Sequence, residues 1–168
     1  MGWQKEFTLG RKAKGCHLVT DEILSQIQPG LKNVQVGMLF LFIKHTSASL
    51  SVNENYDPGI CCVEDSSLSS TTFQMSAKQI WTWLSTILFP RSLSASILSR
   101  LSVIKRDSWL HTDEGPDDSV SHTKASLVGS SISIPITNCR LNLGTWQGIY
   151  LTEFRRMAHT RTVVATIL

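Results

Sequence analysis

Apolar residues that return at every second position constrain this chain most. In Ser131–Thr137 they are Ile132, Ile134 and Ile136. Successive side chains of a strand point to opposite faces, so this pattern marks a strand with one face on a core and the other toward solvent. Trp3–Leu9 alternates in the same manner, and the almost continuously apolar Val34–Ile43 reads as a buried strand. Ser49–Asn53, Gly144–Arg155 and Thr162–Leu168 read as further strands, and Asn138–Arg140 is a turn before one that starts at Leu141–Leu143. A helix is expected over Thr20–Ile27, with Ile23, Leu24 and Ile27 on one side, Thr20 as its cap and Asp21-Glu22 in its first turn. Pro29-Gly30 should end it. Lys124–Gly129 is expected to form one helical turn, and Pro58-Gly59 another break. Two groups of strands with helices interposed predict an α+β domain, with antiparallel sheets packed as a sandwich.

A chain of 168 residues suits one domain with a real core. At 42% hydrophobic and 17% charged it is not a disordered chain, and a net charge of +3 is too small to argue for nucleic acid. One segment departs from the rest. Residues 66–104 are Ser-rich and carry Lys78, Arg91 and Arg100 but no acid. Ala77, Ile80, Trp81, Leu84, Ile87 and Leu88 fall at helical spacing there, and Leu93, Ile97, Leu101 and Ile104 continue it after Pro90. The segment reads either as a helical hairpin broken at Pro90 or as a poorly ordered insertion in a single domain spanning 1–168. Cys16, Cys61, Cys62 and Cys139 show no CxxC spacing, and MGWQKEFTLG has no apolar leader core, so a reduced, cytoplasmic protein is expected. Met38–Ile43 and Ile80–Phe89 are too short or too interrupted to span a bilayer.

Chemistry-bearing groups gather in three patches. Lys44–Pro58 sets His45 beside the hydroxyls of Thr46, Ser47 and Ser49, then Asn53, Glu54, Asn55 and Asp57. His111–His122, read as HTDEGPDDSVSH, holds two histidines and four carboxylates around a Gly-Pro turn and is followed by Lys124. Asn142–Arg155 holds Trp146 between Gly144 and Gly148. His111 and Asp113 would share a side of an extended chain, and His45 and His122 would have to be brought in by the fold. Three histidines with an open position suit zinc, and added carboxylates widen the choice to manganese or magnesium. Glu54, Glu114 and Glu153 are candidates for proton transfer, while Asp117-Asp118 could instead cap the following segment. Ser47 or Ser49 near His45 would allow a hydrolase, although no GxSxG elbow is present. Lys124, Arg140 and Arg155 could meet a phosphate, without a P-loop or GxGxxG. Trp146 is either a ligand platform or a core or interface aromatic.

HTSASL with NEN and Asp57, then HxDEGPDD with His122 and Lys124, then GSSISIPITN and LNLGTWQGIYLTEFR, closely resemble the YjbQ-like family, whose members carry the label secondary thiamine-phosphate synthase. The resemblance covers about residues 1–65 and 107–168. It implies an α+β sandwich that forms a homotrimer, with a site near subunit boundaries. It implies a divalent metal, zinc, magnesium or manganese, held by His45, His111 and His122. The implied activity joins a pyrimidine pyrophosphate to a thiazole phosphate, giving thiamine phosphate and pyrophosphate. Glu54, Glu114, Lys124 and Arg155 are then the expected catalytic groups. Asn53, Asn55, Asp117, Asp118, Trp146 and Gln147 are the expected contacts to a small phosphorylated molecule. A trimeric metal- or ligand-binding protein without efficient catalysis, or a hydrolase, would use the same residues. Two departures stand out. Ser119-Val120 replaces the family's Met-Pro before His122, and the Asp57–His111 segment is longer than the pattern by roughly two dozen residues, well beyond an ordinary connection.

Overall fold

The computed structural model of the protein describes residues 2–55, 111 and 113–168, all of them in one compact unit. The expected break at Pro58-Gly59 and the segment 66–104 with Pro90 lie outside the described residues. The elements run β1 (Trp3–Lys12), β2 (Gly15–Leu18), α1 (Thr20–Leu31), β3 (Val36–Ile43), β4 (Ala48–Glu54), α2 (Asp118–Val128), β5 (Ser131–Thr137), β6 (Arg140–Leu141), β7 (Gln147–Glu153) and β8 (His159–Ile167). Every pairing among them is antiparallel. One sheet has the order β1-β8-β3-β5-β6, and a smaller one has β2-β7-β4. The architecture is the α+β antiparallel sandwich that the alternation implied.

The period-two rows meet between the sheets. Leu39, Leu41 and Ile43 of β3, Ile134 and Ile136 of β5, and Val163, Ala165 and Ile167 of β8 share one core with Leu50, Ile149 and Leu151 of the smaller sheet. Ile23, Ile27 and Leu31 of α1 close it on one side. Burial removes these side chains from water, the main favourable term of folding. β3 is less enclosed than its composition suggests, because Phe40 and Phe42 face outward, 42% and 49% exposed.

Several local expectations need correction. Thr20 does not cap α1; its Oγ1 accepts the Ile149 N–H at 2.8 Å and ties the helix start to β7. Pro29 does not end the helix but sits in its last turn, where the ring forfeits one backbone bond while Leu31 beyond it is still buried. The last half of the His111–His122 segment is not a loop. From Asp118 it is the first turns of α2, an 11-residue helix rather than a single turn at Lys124–Gly129. The four-residue β2 has no sequence pattern of its own and exists through its pairing with β7.

Candidate functional site

The core rows of β7 and β8 end in charge. Glu153 continues the inward row of Ile149 and Leu151, and Arg161 begins the inward row of Val163, Ala165 and Ile167. Both are buried, at 1% and 4% exposure, and such groups must be paired to be tolerated. Arg161 Nε donates to Glu153 Oε2 at 2.6 Å, and its Nη2 donates to Glu153 Oε1 at 2.6 Å and to Ser47 Oγ at 3.0 Å. Glu153 Oε1 also accepts the Arg155 backbone N–H at 2.9 Å. Because β7 and β8 belong to different sheets, this pair joins the sheets at one end of the sandwich.

At that end Arg155, 6% exposed, gathers the acidic segment. Its guanidinium meets Asp118, lies 3.5 Å from Glu114 and 3.7 Å from Asp117, and donates to the Glu114 carbonyl at 2.6 Å. Asp117 occupies the N-cap position of α2, yet its carboxylate accepts the Arg156 N–H at 2.7 Å rather than capping the helix. Ser121 and Ser49 seat α2 on the smaller sheet, donating to the Phe154 carbonyl at 3.1 Å and the Ala125 carbonyl at 3.1 Å. Asp118 is thereby completely buried. Burial opposes its ionisation, but the Glu114 backbone N–H and the Arg155 guanidinium outweigh that and hold the carboxyl below the usual carboxylate range.

Asp118 is flanked by two histidines. His122 follows it by one helical turn, and its Nε2 lies 2.9 Å from Asp118 Oδ1. His111 Nε2 lies 3.3 Å from Asp118 Oδ2. The two rings are tilted, with centroids 5.5 Å apart. One donor atom from each of the three residues lies within 4.8 Å of the others. The other nitrogen of His122, Nδ1, faces the Thr46 carbonyl at 2.9 Å and must donate to it. Nε2 then presents a lone pair to a carboxylate oxygen at bonding distance. Two acceptors so placed need a cation between them, a proton or a metal ion. Ligating histidines commonly give their other N–H to a backbone carbonyl in this way. Two imidazoles and one carboxylate are a donor set that zinc accepts with a position left open, and one that oxygen-seeking magnesium suits poorly.

His45 is not one of these three. Its Nε2 accepts the Thr162 N–H at 2.8 Å, which binds it to β8. Burial, and next the Arg161 guanidinium, push the imidazole below its ordinary value; Glu153 opposes them, and His159 and Lys44 add to them. The folded chain therefore resists protonation at His45 more than the unfolded chain does. The stability this supplies is full above about pH 6.5 and is lost as pH falls toward the lower folded value. Thermal midpoints should drop as pH falls below about 6.5, and His45→Gln, whose amide oxygen can still accept the Thr162 N–H, should flatten the drop. Equal slopes in both forms would assign the effect to other groups. Among the described residues no serine hydroxyl is hydrogen-bonded to a histidine ring; Ser126 Oγ donates only to the His122 backbone carbonyl, at 2.9 Å.

A cavity of about 300 Å³ opens beside the cluster, lined by Lys44, His45, Thr46, Ser47, Glu114, His122, Arg155, His159 and Arg161. Other expected site residues are elsewhere. Asp113 is exposed and outside the cluster. Lys124 is on α2 two residues past His122, hence about 200° round the helix, and does not line the cavity. Arg140 is exposed on β6. Asn53, Glu54, Asn55, Trp146 and Gln147 gather at the far end of the β4–β7 pair, where Asn55 N donates to the Trp146 carbonyl at 2.7 Å. Ala48 pairs with Glu153 at the near end and Glu54 with Gln147 at the far end. That is roughly 20 Å along the strand, so one subunit does not bring the two groups together. The space beside Gly148 is also taken: a Cβ there would meet Leu18 Cδ1 at 2.5 Å, so the glycine admits protein rather than ligand. Residues 159 and 161 went unnoticed in the sequence, although a charged residue on a core-facing row was the signal for Arg161.

Comparison with known proteins agrees with this fold. The family model described as UPF0047 protein YjbQ-like matches residues 5–67 and 93–168. UPF0047 protein YjbQ of Escherichia coli O157:H7 is 35% identical over 167 residues, covering 99% of this chain and 98% of the relative. Among solved structures, an uncharacterized YjbQ/UPF0047 protein from Clostridium acetobutylicum is 28% identical, with a TM-score of 0.59 over 98% of this chain and 99% of its own. A YbjQ-like protein of unknown function from Sulfolobus solfataricus shares the fold at 17% identity, with a TM-score of 0.63 over 99% of this chain and 96% of its own. No helix among the described residues is long and apolar enough to cross a membrane. The chain belongs to the UPF0047 YjbQ-like family.

Proposed function

We propose that this protein is a metal-dependent enzyme acting on a small phosphorylated molecule, with a divalent ion of the zinc type held by His111, Asp118 and His122. The observation that carries the reading is His122, whose two ring nitrogens both face oxygen acceptors, Thr46 and Asp118. His111 supplies a third donor at the same point, which favours a metal over a shared proton. A bound ion would supply positive charge toward a departing pyrophosphate. The chain's own residues do the rest. Arg155 holds the acidic segment in place, and Glu114, exposed at the cavity mouth, is placed to exchange a proton with a ligand. The reaction we assign is the joining of a pyrimidine pyrophosphate to a thiazole phosphate. A cavity rich in basic side chains supports it, and Cys16 and Cys139, which form no disulfide among the described residues, fit the cytoplasm as its setting.

We also propose a homotrimer. Its subunit boundary would give the far group around Trp146 and Gln147 a route to a neighbour's cavity that one subunit lacks. The test is turnover by the full chain with both substrates and zinc, reading thiamine phosphate, alongside the mass in solution. Product that disappears with chelator and in His122→Ala is expected, from a particle of trimer mass. A metal-loaded trimer that makes no product would favour a binding protein instead.

A further inference from the structure

We propose that the cavity beside the three metal donors is a phosphate-binding subsite formed by His45, Ser47, His159 and Arg161. The inference rests on the reading above only for its neighbour, the metal; its own support is the hydrogen-bonding of four side chains. His45 has spent Nε2 on accepting the Thr162 N–H, so its neutral ring carries a proton on Nδ1, which has no partner among the described residues. Ser47 Oγ accepts from Arg161, so its hydroxyl hydrogen is available to donate. Arg161 commits Nε and Nη2 to Glu153 and Ser47 and leaves Nη1 without a partner among the described residues. His159 Nδ1 is buried without any hydrogen-bond partner in the described structure. A buried polar atom left unpaired is costly and calls for an explanation.

All four residues line the same cavity. The only carboxylate among its described lining residues, Glu114, lies 3.5 Å from the Arg155 guanidinium, and Glu153 behind it is covered by Arg161. The Lys44 ammonium is drawn away to Glu6 at 2.8 Å and is not counted among the donors. What faces the space is therefore the His45 Nδ1–H, the Ser47 hydroxyl and the Arg161 Nη1, donors with few acceptors, with the unpartnered His159 Nδ1 buried in the wall beside them. A phosphate offers several strong acceptor oxygens and negative charge to match. The volume is at the small end for ligand sites, which suits the phosphate end of a small molecule. Since His122 lines the cavity too, the phosphate would lie between Arg161 and the metal donors.

The test uses inorganic phosphate as the probe, titrated calorimetrically into the full chain with chelator and again with zinc. Binding is expected in both conditions. Ser47→Ala and His159→Leu should each weaken it about tenfold, the scale of one hydrogen bond to a charged group, while His159→Asn, whose amide can stand in for Nδ1–H, should retain it. Thermal melts show that each variant is folded, and Ser47→Ala carries the test if His159→Leu is not. Phosphate that binds only with zinc, or that binds both variants as well as the parent, would overturn the subsite and leave the metal reading intact. Phosphate binding by a chain that takes no zinc would overturn the metal reading and support the subsite.

Discussion

Glu153→Leu is expected to destabilise the fold by about 3–5 kcal/mol, because it leaves a buried guanidinium without its counter-ion. Arg161 is 4% exposed and loses both carboxylate bonds, and the Arg155 N–H loses its acceptor as well. For a chain of this size the loss corresponds to a thermal midpoint lower by roughly 10 °C. Arg161→Met should cost a similar amount by stranding the carboxylate. The double variant, with two apolar side chains across the sheets, should be less destabilised than the sum of the singles, since neither charge is then left alone. Urea unfolding of the four forms reads this coupling directly. Strict additivity would mean that the two sheets are not held at this end by the Glu153–Arg161 pair.

The second large effect concerns metal affinity. Removing a ligand should exceed the roughly 10–100-fold loss that changing an outer hydrogen-bond partner causes. His111→Ala, His122→Ala and Asp118→Asn should each show that larger loss, since each removes or neutralises one of the three convergent donors. His45→Ala should not, because its Nε2 is committed to the Thr162 N–H and it lies outside the group. Zinc competition against a coloured chelator ranks the four variants. A collapse of affinity in His45→Ala equal to that in His122→Ala would restore a three-histidine centre and remove Asp118 from it.

Much of the fold was legible because its signal is repetitive. The isoleucines of Ser131–Thr137 face one way, and β5 has those same limits. α2 was hidden for the opposite reason. Its buried residues are Asp118, Ser121 and Ala125, polar or small, so no apolar stripe announced it. Missing that helix concealed the relation between Asp118 and His122, which are neighbours on one face only when the chain is helical. His45 stood in a polar, turn-rich setting like the other two histidines, and no spacing rule reveals that a distant N–H occupies its nitrogen. Trp146 read in the sequence as a ligand platform or as a core or interface aromatic, and at 54% exposure it is not in the core. The strand that carries it also carries it roughly 20 Å from the histidines, a consequence of register that only the pairing of β4 with β7 shows.

The proposed zinc centre is defined by three ligands, His111, Asp118 and His122. X-ray absorption on the zinc-loaded full chain, with metal content measured on the same sample, addresses that most directly. About one zinc per chain is expected, bonded to two imidazole nitrogens and one carboxylate oxygen at about 2.0–2.2 Å. A chain that retains no zinc, or a spectrum that requires three imidazoles, would contradict the centre built on His111, Asp118 and His122.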